Sequence, residues 1–329
     1  MSLAPEHDAG LEAEREHYYR RSVVSLAQAL IDAISTSQAT MNLPSGDTGK
    51  KYWASVLFAR LCGIGGSLQK ILPGSPSNMS GAVWDSTSAL SLCRAMFDAD
   101  LALFYLCLDE LTDEDYSLRL WLVFLHDCLE RPRIMDKITG DTPDVKHVAF
   151  YAAEAARLRG QIASNAIFQA LPEWKQKRLL EGKTPYYLSQ DELLERQGND
   201  ARKLRGIWEF LSSHVHSYPF SFYRTTEVAD RGSGRENRVD KSYCGIAAEY
   251  AAVMLSQSSE RMAELFPEVP EIPRCLIEWD TLTCRAVKDD SGFVIGMSSP
   301  AAFEVKRSAY GRVARASVKV EPEPPEPAA

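Results

Sequence analysis

The sequence predicts an all-α protein: a multi-helix bundle with an irregular C-terminal extension and a disordered tail. Three observations predict it. Apolar residues recur at three- and four-residue spacing through most of the chain up to residue 265. The strict apolar–polar alternation of a half-buried strand is nearly absent. Pro, Gly and helix-capping residues punctuate the periodic stretches at helix-length intervals. The organisation expected is a helical bundle domain over 1–266, an irregular extension with a short basic helix over 267–316, and a disordered Pro/Glu tail over 317–329.

The first helix is predicted from about Leu11 to Ser37, where Val23, Val24, Ala27, Leu30, Ile31 and Ile34 share one stripe. The second carries Trp53, Val56, Leu57, Leu61, Ile64, Leu68 and Ile71 and stops at Pro73-Gly74. Gly63, Gly65 and Gly66 lie inside it. No strand precedes them and no Lys-Ser/Thr follows, so close helix packing explains them better than a phosphate loop. A loop over 73–81 leads to an apolar helix over 83–109. Thr112 caps the next, with Asp113, Glu114 and Asp115 in its first turn, and Pro132 is expected to end it near Glu130. Thr142-Pro143-Asp144 opens a helix over 144–170, ended by Pro172. A short helix near 173–181 follows, and Ser189-x-x-Glu192 is a capping box opening 190–197. Asn199 or Asp200 caps the helix that runs through His214. The last strong helix spans about 240–265. Ala302–Ala316, with Lys306, Arg307, Arg312 and Arg315, reads as a short basic helix. The segment from Glu321 to Ala329 is rich in Pro and Glu and is expected to be disordered.

The 329 residues are 45% hydrophobic and 25% charged, an ordinary globular balance with ample material for a core. A net charge of −8 argues against coating nucleic acid by bulk electrostatics, although a local basic patch stays open. Seven scattered cysteines without a C-x-x-C pair read as buried reduced thiols of a cytoplasmic protein. The N-terminus has no apolar signal core. Ala89–Leu108 is long enough to span a bilayer, but Arg94, Asp98 and Asp100 sit near its middle, where charge is costly in lipid. No membrane association is expected.

The densest chemistry lies in Trp208-Glu-Phe-Leu-Ser212-Ser-His214-Val-His216-Ser-Tyr-Pro219, which closes a helix and holds two of the six histidines. If the helix persists to 216, Ser212 and His216 are one turn apart, and the hydroxyl can orient the imidazole or lose a proton to it. A histidine that only caps terminal carbonyls is the bland alternative for both His214 and His216. Arg94 and Asp98 are one turn apart on a helix apolar almost all round. They form either a buried structural pair or an arginine held by Asp98 and presented to a phosphate or carboxylate. Arg119 and His126 share a helix face and have the residue types for metal-free RNA cleavage. Asp115 and Glu130, each one turn away, favour instead a solvated face laced with ion pairs. His214-x-His216 lacks a second ligand pair at helical spacing, so no metal site and no cofactor are expected.

Two of these elements resemble an uncharacterised family of helical bacterial proteins known as a domain of unknown function. Its members carry Arg-x-x-x-Glu on a mid-chain helix and aromatic-x-x-Leu-Ser-x-x-Val-His-x-Ser at a later helix end. Here the first reads Arg94-Ala-Met-Phe-Asp98, with Asp for Glu. The second runs from Trp208 through Leu211, Ser212, Val215 and His216 to Ser217, with Trp where Tyr is usual. On that match His216 is the family histidine and His214 is extra. The pattern is also loosely similar to the HEPN superfamily, helical bundles of toxin–antitoxin and phage-defence systems. Its catalytic members use Arg-x(four to six)-His for metal-independent RNA cleavage. Arg119 to His126 has that spacing but carries Leu120 where a polar residue is common. The residues and the resemblance together lead to the expectation of a HEPN-like protein with His216, Ser212 and Arg94 as catalytic residues, Asp98, His214 and Trp208 as ligand-binding ones, and RNA or another phosphate ligand as partner. A homodimer or protein partner is a further expectation. The alternative is a non-catalytic interaction module whose histidines and Arg94–Asp98 pair lock helices together.

Overall fold

The computed structural model describes residues 5–41, 49–75, 83–140, 145–223 and 228–269, and five strand segments between 274 and 317. Eleven α-helical segments occur among them: α1 Pro5–Met41, α2 Lys50–Ile71, α3 Ser86–Leu103, α4 Asp113–Thr139, α5 Val145–Ser164, α6 Ala166–Gln169, α7 Glu173–Leu180, α8 Gln190–Arg196, α9 Ala201–Val215, α10 Pro219–Phe222 and α11 Arg238–Leu265. A π-helical turn, Phe104–Leu108, follows α3. The all-α bundle is therefore present, with more segments than the periodicity separates because α6 and α10 are single turns.

Several caps appear as expected. Thr112 Oγ1 accepts from Asp115 N, and Asp200 Oδ1 accepts from Lys203 N at the start of α9. Ser189 and Glu192 form the full capping box of α8. Thr142-Pro143-Asp144 lies outside the described residues. Pro132 does not end α4. It removes one donor, but the helix continues to a left-handed cap at Gly140 (φ 64°), with the Asp127–Arg131 ion pair just before the proline and Glu130–Arg133 spanning it.

The chain divides into two compact units. One comprises Met1–Ser45, Ser55–Asp100 and Gly206–Ala329. Its centre is the pair α1 and α11, which run side by side in the same direction. Glu12 and Glu16 meet Lys241, Tyr18 meets Gly245 and Glu249, and Leu30 and Leu255 converge on Gly65 of α2. Gly245 permits the approach, because a Cβ there would lie 2.7 Å from the Tyr18 ring. Gly65 bears out the packing role expected for it: its Cβ would meet Leu255 at 3.1 Å and Met96 at 3.3 Å. Nothing crowds Gly63. Leu26, Phe58, Leu61, Leu90 and Met96 are sealed in this core.

The other unit comprises Gly46–Ala54 and Leu101–Arg205. Leu118, Leu122 and Leu125 of α4 and Ala155, Leu158 and Ile162 of α5 are buried in it, with Phe168, Leu179, Leu193 and Leu194.

Beyond Pro267 the expected irregularity resolves into short strands. β1 (Arg274–Ile277), β4 (Glu304–Ala309) and β5 (Arg312–Ser317) form an antiparallel sheet in the order β1-β4-β5, and β2 (Arg285–Lys288) pairs with β3 (Val294–Ser298). The basic helix expected over 302–316 is thus corrected to a strand pair. Its backbone groups find partners across a ladder with Lys306 opposite Arg315, in a stretch where Val305 and Val313 favour extended chain. The Pro/Glu tail lies outside the described residues, apart from Ser317 at the end of β5.

Five cysteines, Cys62, Cys93, Cys107, Cys128 and Cys244, are buried free thiols. Burial pushes Cys62, Cys93 and Cys107 up to about 12, which makes them inert packing groups. Among the described residues, no helix is long and apolar enough to cross a membrane.

Candidate functional site

The site grows from how α9 ends. Backbone Ser217 N donates to His214 O (3.3 Å) and Tyr218 N donates to Ser213 O (2.9 Å), the paired bonds that close a helix through a left-handed residue. That residue is Ser217, with φ 49° and no glycine to ease it. The reversal carries the chain into Tyr218 and Pro219, where α10 begins. His214 and His216 therefore face different surroundings.

Arg94 on α3 reaches across to α9. Its Nε donates to Ser212 Oγ (2.9 Å), and its guanidinium lies 4.3 Å from the centre of the Trp208 ring. It also forms an ion pair with Asp98 one turn along α3. The Asp98 side chain is 60% exposed and that of Arg94 14%, so this is not the buried pair that an all-round apolar helix would require. Ala95 and Asp98 give α3 one solvent-facing side. The buried acid of this helix is Asp100, which accepts from Ser258 Oγ (2.5 Å).

Ser212 is thus the partner of Arg94. His216 is exposed, and its ring lies against that of Tyr218 with centroids 5.4 Å apart. Its backbone N still donates to Ser212 O, so the two residues are one helical turn apart. An exposed imidazole, a hydroxyl one turn below it, and a guanidinium on that hydroxyl form the polar end of α9. His214 is the opposite case. It is 2% exposed, its Nδ1 lies 3.0 Å from Phe210 O, and its Nε2 is buried without a partner. Phe210, Tyr243 and Phe220 surround it edge-on. Burial holds its pKa below the usual histidine value, against the pull of the Phe210 carbonyl, and Arg231 adds to the lowering.

Arg119 and His126 do not form a site. The solvated face expected for Arg119 is corrected outright, because its side chain is fully buried. It makes a two-point contact with Asp115 (3.0 and 3.0 Å), donates to Tyr105 O (2.7 Å), and pairs with Asp109 (2.8 Å). The Tyr105 and Tyr187 rings flank it at 4.7 and 5.5 Å, and Tyr187 OH donates to Asp115 (2.7 Å). Burial alone would favour a neutral guanidinium; the Asp115 pair overrides it and raises the pKa. His126 instead places Nδ1 2.7 Å from Gly182 O.

Two other clusters were not anticipated. Lys241, 3% exposed, pairs with Glu12, Glu16 and Glu236 and lies 5.8 Å from the Trp84 ring. The loop from Arg231 to Arg235 holds an anion of its own chain: Gly232 N donates to buried Asp240 (3.0 Å), which also accepts from Ser86 and Asn237. For Arg119 the signal was present. It falls on the stripe 115–118–119–122–125, the buried face of α4. No group of three His, Cys, Asp or Glu side chains among the described residues is arranged to hold a metal.

Comparison of the chain with protein-family models, with curated proteins and with solved structures finds no match.

Proposed function

We propose that the polar end of α9 is a phosphate-recognition site acting on RNA without a metal, in the manner of HEPN-like proteins. The observation that carries the reading is the Arg94–Ser212 hydrogen bond one turn from the exposed His216. His216, open to solvent, takes the proton of a ribose 2′-hydroxyl. The 2′-oxygen then attacks phosphorus, the bond to the 5′-oxygen breaks, and that oxygen leaves with a proton from solvent. Arg94, held by Ser212, Asp98 and the Trp208 face, supplies the positive charge for the developing phosphorane. The five buried thiols agree with a reducing compartment, the cytoplasm.

A second reading also has an observation in its favour. Arg94 is engaged by Ser212, Asp98 and Trp208, and His214 is sealed, as expected of a non-catalytic interaction module whose polar groups lock helices.

Cleavage of labelled RNA by the purified protein in EDTA, beside His216→Ala and Arg94→Gln, separates the two. Removing a proton-transfer group lowers a rate by roughly 10²–10⁴-fold. Wild-type cleavage that falls by this amount in folded His216→Ala supports the first reading. No cleavage of single-stranded or structured RNA overturns it in favour of the module.

A further inference from the structure

We propose that His214 is a proton-operated latch: as the neutral imidazole it keeps the α10 turn docked, and protonation releases it. The inference does not depend on the RNA reading.

α10 has four residues, too few to be stable as an isolated helix. Pro219, Phe220, Phe222 and Tyr223 are all exposed. Among the described residues, ring contacts and a hydrogen bond tie the turn to the rest of its unit. The Phe220 ring lies edge-on to Phe210 (5.9 Å) and His214 (6.5 Å), and Arg231 donates to Ser221 O at 3.5 Å. Arg231 in turn lies 5.6 Å from the Tyr243 ring. The first contact involves the His214 ring directly, and the Arg231 charge of the second bears on that ring.

The imidazole is neutral in this arrangement. Nδ1 carries the hydrogen, because it faces the Phe210 carbonyl at 3.0 Å, and Nε2 keeps a lone pair that nothing uses. The rings packed around it are Phe210 from α9, Phe220 from α10 and Tyr243 from α11, and Arg231 from the loop before α11 adds its charge. The charge that bears on the ring is therefore positive. A proton on Nε2 creates a buried N–H without an acceptor and a second cation beside Arg231. Release of Phe220 gives the new N–H to water, and movement of Arg231 away from the imidazolium breaks its bond to Ser221. The two ties loosen together. His216, two residues on, lies outside this cage against Tyr218.

The direction follows from linkage. A histidine whose closed-state pKa is lowered binds fewer protons when closed than when open. Closure is thus fully favoured above the open-state value of ~6.5 and weakens as pH falls below it, by up to about tenfold per pH unit. The open form adds Phe210 and Tyr243 to the aromatic surface already exposed at Tyr218, Phe222 and Tyr223.

The test uses the full chain between pH 7.5 and 5. Imidazole titration is followed by ¹⁵N NMR, with His214→Phe and His216→Gln identifying their signals among the six histidines. Deuterium exchange is measured at the Ser221 and Tyr223 amides, corrected for the intrinsic pH dependence. We expect His214 to titrate below ~6.5 and the protection of both amides to fall by up to about tenfold per unit in the same range. His214→Phe, which keeps an aromatic ring in the cage, should stay protected and flat with pH. Arg231→Gln should lower protection at pH 7.5 and shrink its pH dependence. A His214 titrating at or above the ordinary value, flat wild-type protection, or the same fall in folded His214→Phe overturns the proposal. The wild-type titration decides even if the variant does not fold.

Discussion

Replacing Arg119 by Met removes the guanidinium that pairs with Asp115 at two points. Asp109, 7% exposed, keeps Arg196 at 3.0 Å, so it is not orphaned. Asp115, 9% exposed, keeps the Tyr187 hydroxyl and loses its two-point guanidinium partner. The Tyr105 carbonyl loses its 2.7 Å donor. Breaking a buried pair by removing one partner costs about 3–5 kcal/mol, because the remaining charge stays desolvated. The lost stacking on two tyrosine rings adds roughly 0.5–2 kcal/mol. The expected loss, about 3.5–7 kcal/mol, is a large share of a typical folding free energy of ~5–15 kcal/mol. Urea unfolding followed by far-UV circular dichroism measures it, with hydrogen exchange along α4 to localise the opening. Arg119→Met/Asp115→Leu removes the stranded charge along with its partner. It should lose at least ~2 kcal/mol less than the sum of the single variants, as expected for residues in one network. A loss below about 1 kcal/mol for Arg119→Met, or additive single variants, would refute the view that charge pairing organises this core.

Lys241→Met should destabilise more at pH 7 than at pH 4. Burial would raise the Glu16 pKa, but hydrogen bonds from Lys241 and Arg20 bring it below the ordinary value, so pairing stabilises above that value and fades as pH falls through it. Thermal melts of both proteins across this range show whether the gap narrows. Gly245→Ala should cost about 1–3 kcal/mol, since its Cβ would lie 2.7 Å from the Tyr18 ring between two long helices. Tyr18→Leu in the same background should recover part of the loss in a denaturant titration.

The helical class was legible because burial of one stripe per helix is a local, periodic property. Val23, Leu26 and Leu30 on α1, or Leu118, Leu122 and Leu125 on α4, announce their face through spacing alone. Caps were legible for the same reason, as Thr112, Ser189 and Asp200 act within three residues of themselves. Pro132 misled because a proline lowers the odds of a helix without forbidding one, and here the helix runs on through it to the glycine cap at Gly140. β1 was missed because its hydrogen bonds reach a segment far away in sequence, with Arg274 opposite Ser308, whereas β4 and β5 pair locally and were missed because Lys306, Arg307, Arg312 and Arg315 read as a basic helix.

For the site, the sequence by itself determined which groups gather at the end of α9: Trp208, Ser212, His214 and His216 on successive turns. Only tertiary structure decided what each one meets. Arg94 arrives from another helix and takes the Ser212 hydroxyl, which spacing alone would have assigned to His216. Two residues separate His214 from His216, yet one is walled in by Phe210, Phe220 and Tyr243 and the other is exposed to solvent. Arg119 looked like a surface charge because the carboxylate of Asp109 and the rings of Tyr105 and Tyr187 that enclose it come from other elements. The dielectric around a side chain is set by neighbours remote in sequence, and so the charge state and availability of a polar group belong to the fold.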